Sequence, residues 1–394
     1  MDFQSIAAIA FIVLLTVILY IERKKVILQK MLFPFLYAII YRTTVGLASM
    51  ERLAKKLPRL LKWAASVGVV VGFLGMALIT VELLRNLYKV FFVPGAASGV
   101  GVIQPFAKNI PGTFYVPFFY FIISIFVLVI VHEFSHGVMA RVYNMKVKSS
   151  GLAFLGILLP ILPAAFVEPD EKQLKKRPAW QQLSVFAAGP FSNIVLAVVV
   201  YVVLLFVAQP VIGAILQPQG LVINNFVDGD YPAKESGLAI GDMVVKIDDK
   251  ETLTFENVSS ALDGKEPGET VTVTTNRSSH VVTLGANPAS PEKPYLGIYF
   301  EPKTAMKESF ITKYGEFTGK AVLWVSGLLL WLYILNVGVG LFNLVPLPIV
   351  DGGRMMQLAL TKVLSAEKAE KTWRFVGTFF AVLILINIIA GFVV

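Results

Sequence analysis

The segment Phe121–His136, FIISIFVLVIVHEFSH, decides how the rest of the chain is interpreted, because it joins a long apolar run to two histidines and a glutamate. The apolar run predicts a helix that enters a membrane. Histidines four residues apart share one face of a helix, so His132 and His136 can bind one metal ion while Glu133 reaches its water. A carboxylate beside hydrocarbon is costly unless it is used or paired, which favours a functional site over a polar cluster that caps a helix end.

The composition of the whole chain supports a membrane protein. Of its 394 residues, 56% are apolar and 15% are charged, whereas roughly 25% of residues are charged in a soluble globular protein. About 20 apolar residues cross a bilayer core, so we predict a polytopic α-helical membrane protein with about six transmembrane helices. The candidate apolar runs are Ile6–Tyr20, Ala64–Leu84, Tyr115–Val131, Leu183–Val211, Val322–Leu347 and Phe375–Val394.

Lysine and arginine set the expected orientation in the cell membrane. Residues 22–62 carry ten of them, residues 141–177 seven and residues 354–374 five, whereas residues 87–114 carry two. With six spans the three basic segments fall on one side, which the positive-inside rule makes the cytoplasm. His132 lies about nine residues before Arg141, hence roughly 13 Å below that interface. The formal charge of +9 is explained by these loops, and we expect no nucleic-acid partner.

Two further apolar segments are too short or too interrupted to cross the bilayer as straight helices. Residues 31–40 predict an interfacial or buried segment, although a span over residues 31–47 is left open. Residues 149–167 contain two glycines and two prolines, which favours a re-entrant segment. Beside a metal such a segment could offer a strand edge to an unfolded substrate, or it could serve only as a membrane anchor.

Residues 212–305 alternate short apolar stretches with Gly, Pro, Asp and Asn turns, which predicts an inserted β-rich domain. Within it, Tyr231–Glu251, YPAKESGLAIGDMVVKIDDKE, resembles the PDZ domains of bacterial-type proteases. The orientation above places this domain outside the cell; a plain β spacer is the alternative. The strand that binds a peptide carboxylate usually begins such a domain but comes last here, which implies a circularly permuted PDZ type with candidate binding residues Tyr295, Leu296, Gly297 and Ile298.

A hydrolytic zinc site normally has three protein ligands, so a third is needed beside the two histidines. The chain has no cysteine, which also excludes disulfides and thiolate nucleophiles. The best candidate is Asp351 in the segment Asn343–Gly353, NLVPLPIVDGG. Its prolines cannot continue a helix and its glycines tolerate unusual backbone angles, so we expect unwound backbone to display Asp351. A turn that merely ends a helix is the alternative.

HEFSH, the Asp-Gly segment and the PDZ-like domain between them resemble, in this order, the site-2 proteases. This family comprises intramembrane zinc metalloproteases, here in the prokaryotic form with one PDZ domain, and the resemblance covers most of residues 115–360. It implies that Glu133 is the catalytic base. It also implies one Zn²⁺ per chain, bound by His132, His136 and Asp351.

Two asparagines receive their roles from the resemblance only. Gly189–Asn193, GPFSN, is similar to the Gly-x-x-x-Asn motif of the family, whose asparagine engages the substrate backbone. Asn343 opens the Asp-Gly motif and is implicated in the same way. The resemblance therefore implies that Asn193 and Asn343 position the substrate.

The implied activity is hydrolysis of peptide bonds within or near transmembrane segments of membrane-anchored proteins, as in regulated intramembrane proteolysis. Whether another protease must cut these substrates first is left open. A catalytically inactive chaperone or scaffold with a retained zinc site, a zinc transporter and a PDZ interaction scaffold are the alternatives. The predicted division is an N-terminal membrane region, the first part of the catalytic core, the PDZ-like domain, and the second part of the core with the last span, over residues 1–114, 115–211, 212–305 and 306–394.

Overall fold

Long apolar runs form most of the helices of the chain. The computed structural model describes residues 3–32, 36–93, 99–108, 110–157, 159–227, 232–288 and 290–393. In chain order the helices are α1 (Phe3–Ile21), α2 (Leu47–Lys56), α3 (Pro58–Phe92), α4 (Phe118–Val142), α5 (Glu171–Lys175), α6 (Ala179–Val203), α7 (Gln209–Ile215), α8 (Pro232–Glu235), α9 (Phe255–Leu262), α10 (Glu308–Tyr314), α11 (Glu316–Phe342), α12 (Asp351–Val363) and α13 (Ala366–Val393).

Six helical segments within the described ranges are long and apolar enough to cross a membrane, which confirms the predicted polytopic membrane protein. The fourth is the longest, because α6 continues through a π-helical stretch, Leu204–Ala208, into α7. The predicted runs lie largely within these helices, whose ends extend into more polar sequence. The segments are Phe3–Ile21, Pro58–Phe92, Phe118–Val142, Ala179–Ile215, Glu316–Phe342 and Ala366–Phe392.

The strands lie in the connections between helices and in the inserted β-rich region. They are β1 (Val26–Leu32), β2 (Leu36–Thr43), β3 (Val102–Gln104), β4 (Thr113–Tyr115), β5 (Val147–Ile157), β6 (Leu159–Pro169), β7 (Leu216–Phe226), β8 (Met243–Ile247), β9 (Lys250–Glu251), β10 (Thr270–Thr275), β11 (Ser279–Thr283), β12 (Gly285–Asn287), β13 (Ser290–Tyr295) and β14 (Ile298–Met306). Tertiary contacts divide the chain into two units, one of residues 1–204 with 326–394 and the other of residues 205–325.

An antiparallel four-stranded sheet in the first unit accounts for both short apolar segments of the sequence. Its strand order is β1-β2-β5-β6, with Ile40 opposite Ala153 and Ala153 opposite Ala164. Residues 31, 32 and 36–40 belong to β1 and β2, while residues 33–35 lie outside the described ranges. Since β2 and α2 together occupy most of residues 36–56, the described part of residues 31–47 does not form a membrane-spanning helix.

Helices α4 and α6 pack against each other in antiparallel orientation in the first unit. Near one end of the pair, the Tyr143 hydroxyl on α4 lies 3.3 Å from the Ser184 hydroxyl on α6. Farther along, the Ser192 hydroxyl donates a hydrogen bond to the Val131 carbonyl over 3.4 Å. The two helices therefore stay in contact along the stretch of α4 that contains HEFSH, residues 132–136, which is called the His-Glu motif below.

The second unit has its own β-sheet and apolar core, which confirms the predicted β-rich insertion. The sheet order is β11-β10-β8-β7-β14, and β9 pairs with β8. Along β10, Val271 and Val273 are buried while Thr270 and Thr272 are exposed, the alternation expected of a sheet with one covered face. Buried residues of five strands meet there, including Leu221, Ile223, Val244, Ile247 and Val282.

Candidate metal centre

Helix α4 brings its two histidines together because they lie one turn apart. Their Nε2 atoms are 3.2 Å from each other, and the rings meet edge to face at 4.8 Å between centroids. His132 is buried and His136 is nearly so. One donor atom each of His132, Glu133 and His136 lies within 4.8 Å of the others, a spacing that fits one metal ion.

Asp351 completes a triangle with the histidines although it lies 219 residues after His132. Its Oδ2 is 3.1 Å from His132 Nε2 and 3.2 Å from His136 Nε2. As predicted, irregular backbone precedes it, since α11 ends at Phe342 and α12 begins at Asp351 itself. The structure thus places all three predicted ligands around one point.

The glycines after Asp351 serve a different purpose from the one predicted. Both belong to α12, and neither is among the glycines with positive φ. A Cβ on Gly352 would lie 2.6 Å from the Val345 carbonyl oxygen and closer still to that of Leu344, and a Cβ on Gly353 would collide with the Leu347 carbonyl. The expectation of unusual backbone angles was therefore wrong. These glycines allow α12 to start directly against the preceding loop, which the Gly352 N–H joins by donating to Asn343 O over 2.8 Å.

Helix α6 supplies the hydrogen-bond partners of the histidine rings. His136 Nδ1 lies 2.6 Å from the Val185 carbonyl oxygen. A carbonyl only accepts hydrogen bonds, so Nδ1 carries a proton, and in a neutral ring Nε2 then keeps its lone pair. His132 Nδ1 lies 3.2 Å from the side-chain amide of Asn193, which is fully buried.

The three converging atoms, His132 Nε2, His136 Nε2 and Asp351 Oδ2, can all bind one cation, whereas they cannot all be satisfied by hydrogen bonds to one another. In a neutral His136, the Nε2 lone pair faces the Asp351 carboxylate at 3.2 Å and His132 Nε2 at 3.2 Å. A single proton could serve only one of these pairs, whereas a metal ion could accept a lone pair from all three. Tetrahedral zinc with bonds of 2.0–2.2 Å places its ligands about 3.3 Å apart. The spacing and the donor set therefore fit zinc.

Glu133 is oriented by the neighbouring sheet. Its Oε2 accepts a hydrogen bond of 2.9 Å from the Val167 N–H on β6. Within the described residues, Oε1 has no protein hydrogen bond. The bond to Val167 was not predicted, because only the fold brings strands β5 and β6 against α4.

Gly189 is a residue of the site that sequence reasoning did not single out. A Cβ there would lie 2.5 Å from His132 Nε2 and closer still to His136 Nε2. Only a residue without a side chain can face the metal-binding edge of both rings. A signal was present, because Gly189 opens the quoted GPFSN motif and is one helical turn from Asn193.

A cavity of about 520 Å³ opens from the triangle. Asn343 lines it together with all three predicted ligands and Glu133, whereas Asn193 does not. The lining also includes charged residues outside the triangle, among them Lys148, Glu168, Lys172 and Arg354. The structure thus separates the two asparagines that were predicted to position substrate.

The four residues predicted to bind a peptide terminus lie in the second unit, where β13 leads into β14. Leu296 and Ile298 are buried in the core of that unit, and Tyr295 ends β13. Gly297 has φ +70°, and its carbonyl accepts a hydrogen bond of 2.8 Å from Val227 N. Among the described strands, β14 is at the edge of the sheet.

Comparison with known proteins gives a family match and several distant relatives. Residues 120–384 match Peptidase family M50. A Clostridium acetobutylicum protein that bears the provisional name zinc metalloprotease is 25% identical over 69% of this chain and 96% of its own length. An Agrobacterium fabrum protein with the same provisional name is 24% identical over 55% of this chain and 67% of its own. An uncharacterised Methanocaldococcus jannaschii protein is 26% identical over 79% and 75%, respectively.

Among solved structures, the chain is similar to the PDZ domain of an SdrC-like protein from Listeria monocytogenes. The identity is 20%, the match covers 21% of this chain and 90% of that chain, and the TM-score is 0.19.

The family match spans well over half of the chain and includes both the His-Glu motif and the Asp-Gly motif. These are the two segments whose side chains meet within 3.2 Å in the structure. The chain therefore belongs to peptidase family M50, and it is a zinc metalloprotease of the site-2 type.

Proposed function

We propose that this protease hydrolyses peptide bonds within or near transmembrane segments of membrane-anchored proteins. The observation that carries the proposal is the convergence of His132, His136 and Asp351 within 3.2 Å, on and beside helices long enough to cross a membrane. Unfolded substrate backbone would reach these residues through the cavity.

In this proposal the three converging side chains hold zinc, one ion per chain. When bound, zinc lowers the pKa of a water molecule and polarises a peptide carbonyl. Glu133 accepts the proton of the attacking water and passes it to the leaving amine. The hydrogen bond from Val167 to Oε2 holds the carboxylate in place and leaves Oε1 for the proton.

We propose that the substrate is bound as an extended strand, since helical amides are already hydrogen-bonded and must be released first. Two features support this mode. Asn343 lines the cavity, where its side chain can contact substrate backbone. Among the described strands, β6 is at the edge of its sheet and reaches the site at Val167, so an unwound segment could pair with it.

We propose that the site opens to the cytoplasm and that the β-rich unit lies outside the cell. The distribution of lysine and arginine supports this orientation, because residues 141–177 and 354–374 flank the metal site and are basic. The edge strand β14 of the outer unit could then bind a peptide terminus, such as one exposed by an earlier cut in the substrate.

The sidedness has a direct test in sealed membrane vesicles. A small impermeant chelator should inactivate inside-out vesicles faster than right-side-out vesicles, because it reaches the zinc from the cytoplasmic face. Vesicles opened with detergent serve as the control and should lose activity at one rate whatever their original orientation. Equal or reversed rates in the sealed vesicles would contradict the proposed topology.

The proposed activity is tested with the zinc-loaded enzyme and a single-span substrate in the same liposomes. We expect cleavage, with new termini inside or next to the span by mass spectrometry, and none with the Glu133→Ala enzyme. Cuts confined to loops far from the span would overturn the proposed site of action. A wild-type enzyme that holds zinc but cleaves none of several single-span substrates would favour the inactive chaperone.

A further inference from the structure

Asn193 differs from three other asparagines that lie in or directly after the long helices α11 and α13. Asn336, Asn343 and Asn387 each donate their Nδ2 to the carbonyl four residues earlier, over 2.7–3.1 Å. Asn193 directs Nδ2 at His132 Nδ1 instead, over 3.2 Å. Its Oδ1 is buried and has no hydrogen-bond partner among the residues that the structure describes, although buried polar atoms are nearly always paired.

Zinc binding decides which atom of Asn193 must face the histidine. His132 Nε2 points at Asp351 and His136, so its lone pair is the one available to the metal. The proton of a neutral imidazole must then be on Nδ1, which becomes a donor and needs an acceptor. An amide nitrogen cannot accept a hydrogen bond, whereas the unpaired Oδ1 of Asn193 can.

A half-turn of the Asn193 amide exchanges two groups of nearly equal size and brings Oδ1 to His132 Nδ1. His136 already has the arrangement that we expect for His132, an Nδ1–H that donates to an oxygen, since its Nδ1 donates to the Val185 carbonyl over 2.6 Å. Val185, Gly189 and Asn193 are spaced by four residues on α6, so they form one stripe along that helix. Gly189, against which both Nε2 atoms pack, thus lies between the acceptor for His136, the Val185 carbonyl, and the proposed acceptor for His132, Asn193 Oδ1.

We propose that Asn193 is a positioning residue for the metal site: in the zinc-bound enzyme its Oδ1 accepts the Nδ1–H of His132. This role rests on the proposed zinc site and differs from the substrate contact that the family resemblance implies. Asn193 is 0% exposed and does not line the cavity, so a peptide in the cavity has no atom of it to touch.

The test compares the zinc affinity of full-length variants by titration against a chelator of known strength. Asn193→Asp keeps an acceptor oxygen, so its zinc affinity should stay within a few-fold of wild type. Asn193→Leu removes the acceptor and should weaken zinc binding about 10–100-fold, the usual effect of losing such a partner. Asn336→Leu is the matched control, because it removes another fully buried amide with an unpaired oxygen, and it should leave the affinity unchanged.

Two outcomes would overturn the proposal. If Asn193→Asp binds zinc as weakly as Asn193→Leu, the amide donates to His132 rather than accepting from it. If Asn193→Leu binds zinc as tightly as Asn336→Leu, the amide has no role in positioning. Unfolding temperatures measured in excess chelator separate folding from metal binding, and Asn193→Ala replaces the leucine variant if that chain does not fold.

A failure of the zinc site itself would look different. Should His132→Ala retain full zinc affinity, the proposed ligand set is wrong whatever Asn193 does. Should the wild type bind zinc as proposed but cleave no transmembrane substrate, the proposed substrate class fails while the role of Asn193 stands.

Discussion

Replacing Glu133 by glutamine should lower cleavage by about 10²–10⁴-fold, the range that a general base contributes, while the enzyme keeps close to one zinc per chain. Glutamine has nearly the shape of glutamate and can still accept the Val167 N–H, which lies 2.9 Å from Oε2 in the native protein. It cannot take a proton from water. The measurement pairs initial cleavage rates with metal content on the same preparation.

The ligand variants supply the contrast. His132→Ala, His136→Ala and Asp351→Ala each remove one corner of a triangle whose sides are 3.1–3.2 Å, so zinc and activity should be lost together. An Asp351→Ala enzyme with full zinc occupancy would refute the third ligand. A Glu133→Gln enzyme as active as wild type would refute the base.

Adding one methyl group at Gly189 should have a comparable effect on the metal. The new Cβ of Gly189→Ala would lie 2.5 Å from His132 Nε2, so the two helices must separate or the rings must turn away. We expect zinc affinity to fall by more than about 100-fold, beyond the 10–100-fold typical of an outer partner. Chelator competition measures this independently of activity.

Gly338→Ala is the matched control. Gly338 also lies in a long apolar helix, α11, but a Cβ there would meet no atom of the described residues within 4 Å. Alanine also favours a helix more than glycine does. This variant should therefore bind zinc and cleave substrate like wild type. If Gly189→Ala did the same, the close approach of α6 to the histidines would be wrong.

The membrane helices and the His-Glu motif could be predicted because their signals are local. About 20 apolar residues in a row have few interpretations, and a separation of four residues defines one face of a helix whatever surrounds it. The four-stranded sheet had no such signal. Residues 31–40 and 149–167 are almost continuously apolar, without the alternation that marks a strand with one exposed face, so a short helix and a strand fit them equally well.

The structural roles of the residues that support the site could not be predicted, for another reason. Gly189, Gly352 and Gly353 are needed because other atoms come close to them, not because of their backbone angles, and such approaches exist only after α4, α6 and α12 have packed. Likewise, Val167 and Val185 contact Glu133 and His136 through backbone groups, so their residue types do not indicate these contacts.

The separation of the ligands along the chain has a consequence for biosynthesis. The ribosome adds Asp351 219 residue positions after His132, when α4 with both histidines and the glutamate is already complete. With the proposed ligand set, the nascent chain until then has two of the three protein ligands that a hydrolytic zinc site needs. A polypeptide released early, or cut anywhere before α12, therefore carries the HExxH motif without a complete centre. The order of the proposed ligands thus leaves an unfinished chain without a complete zinc site until the segment that carries Asp351 has been made.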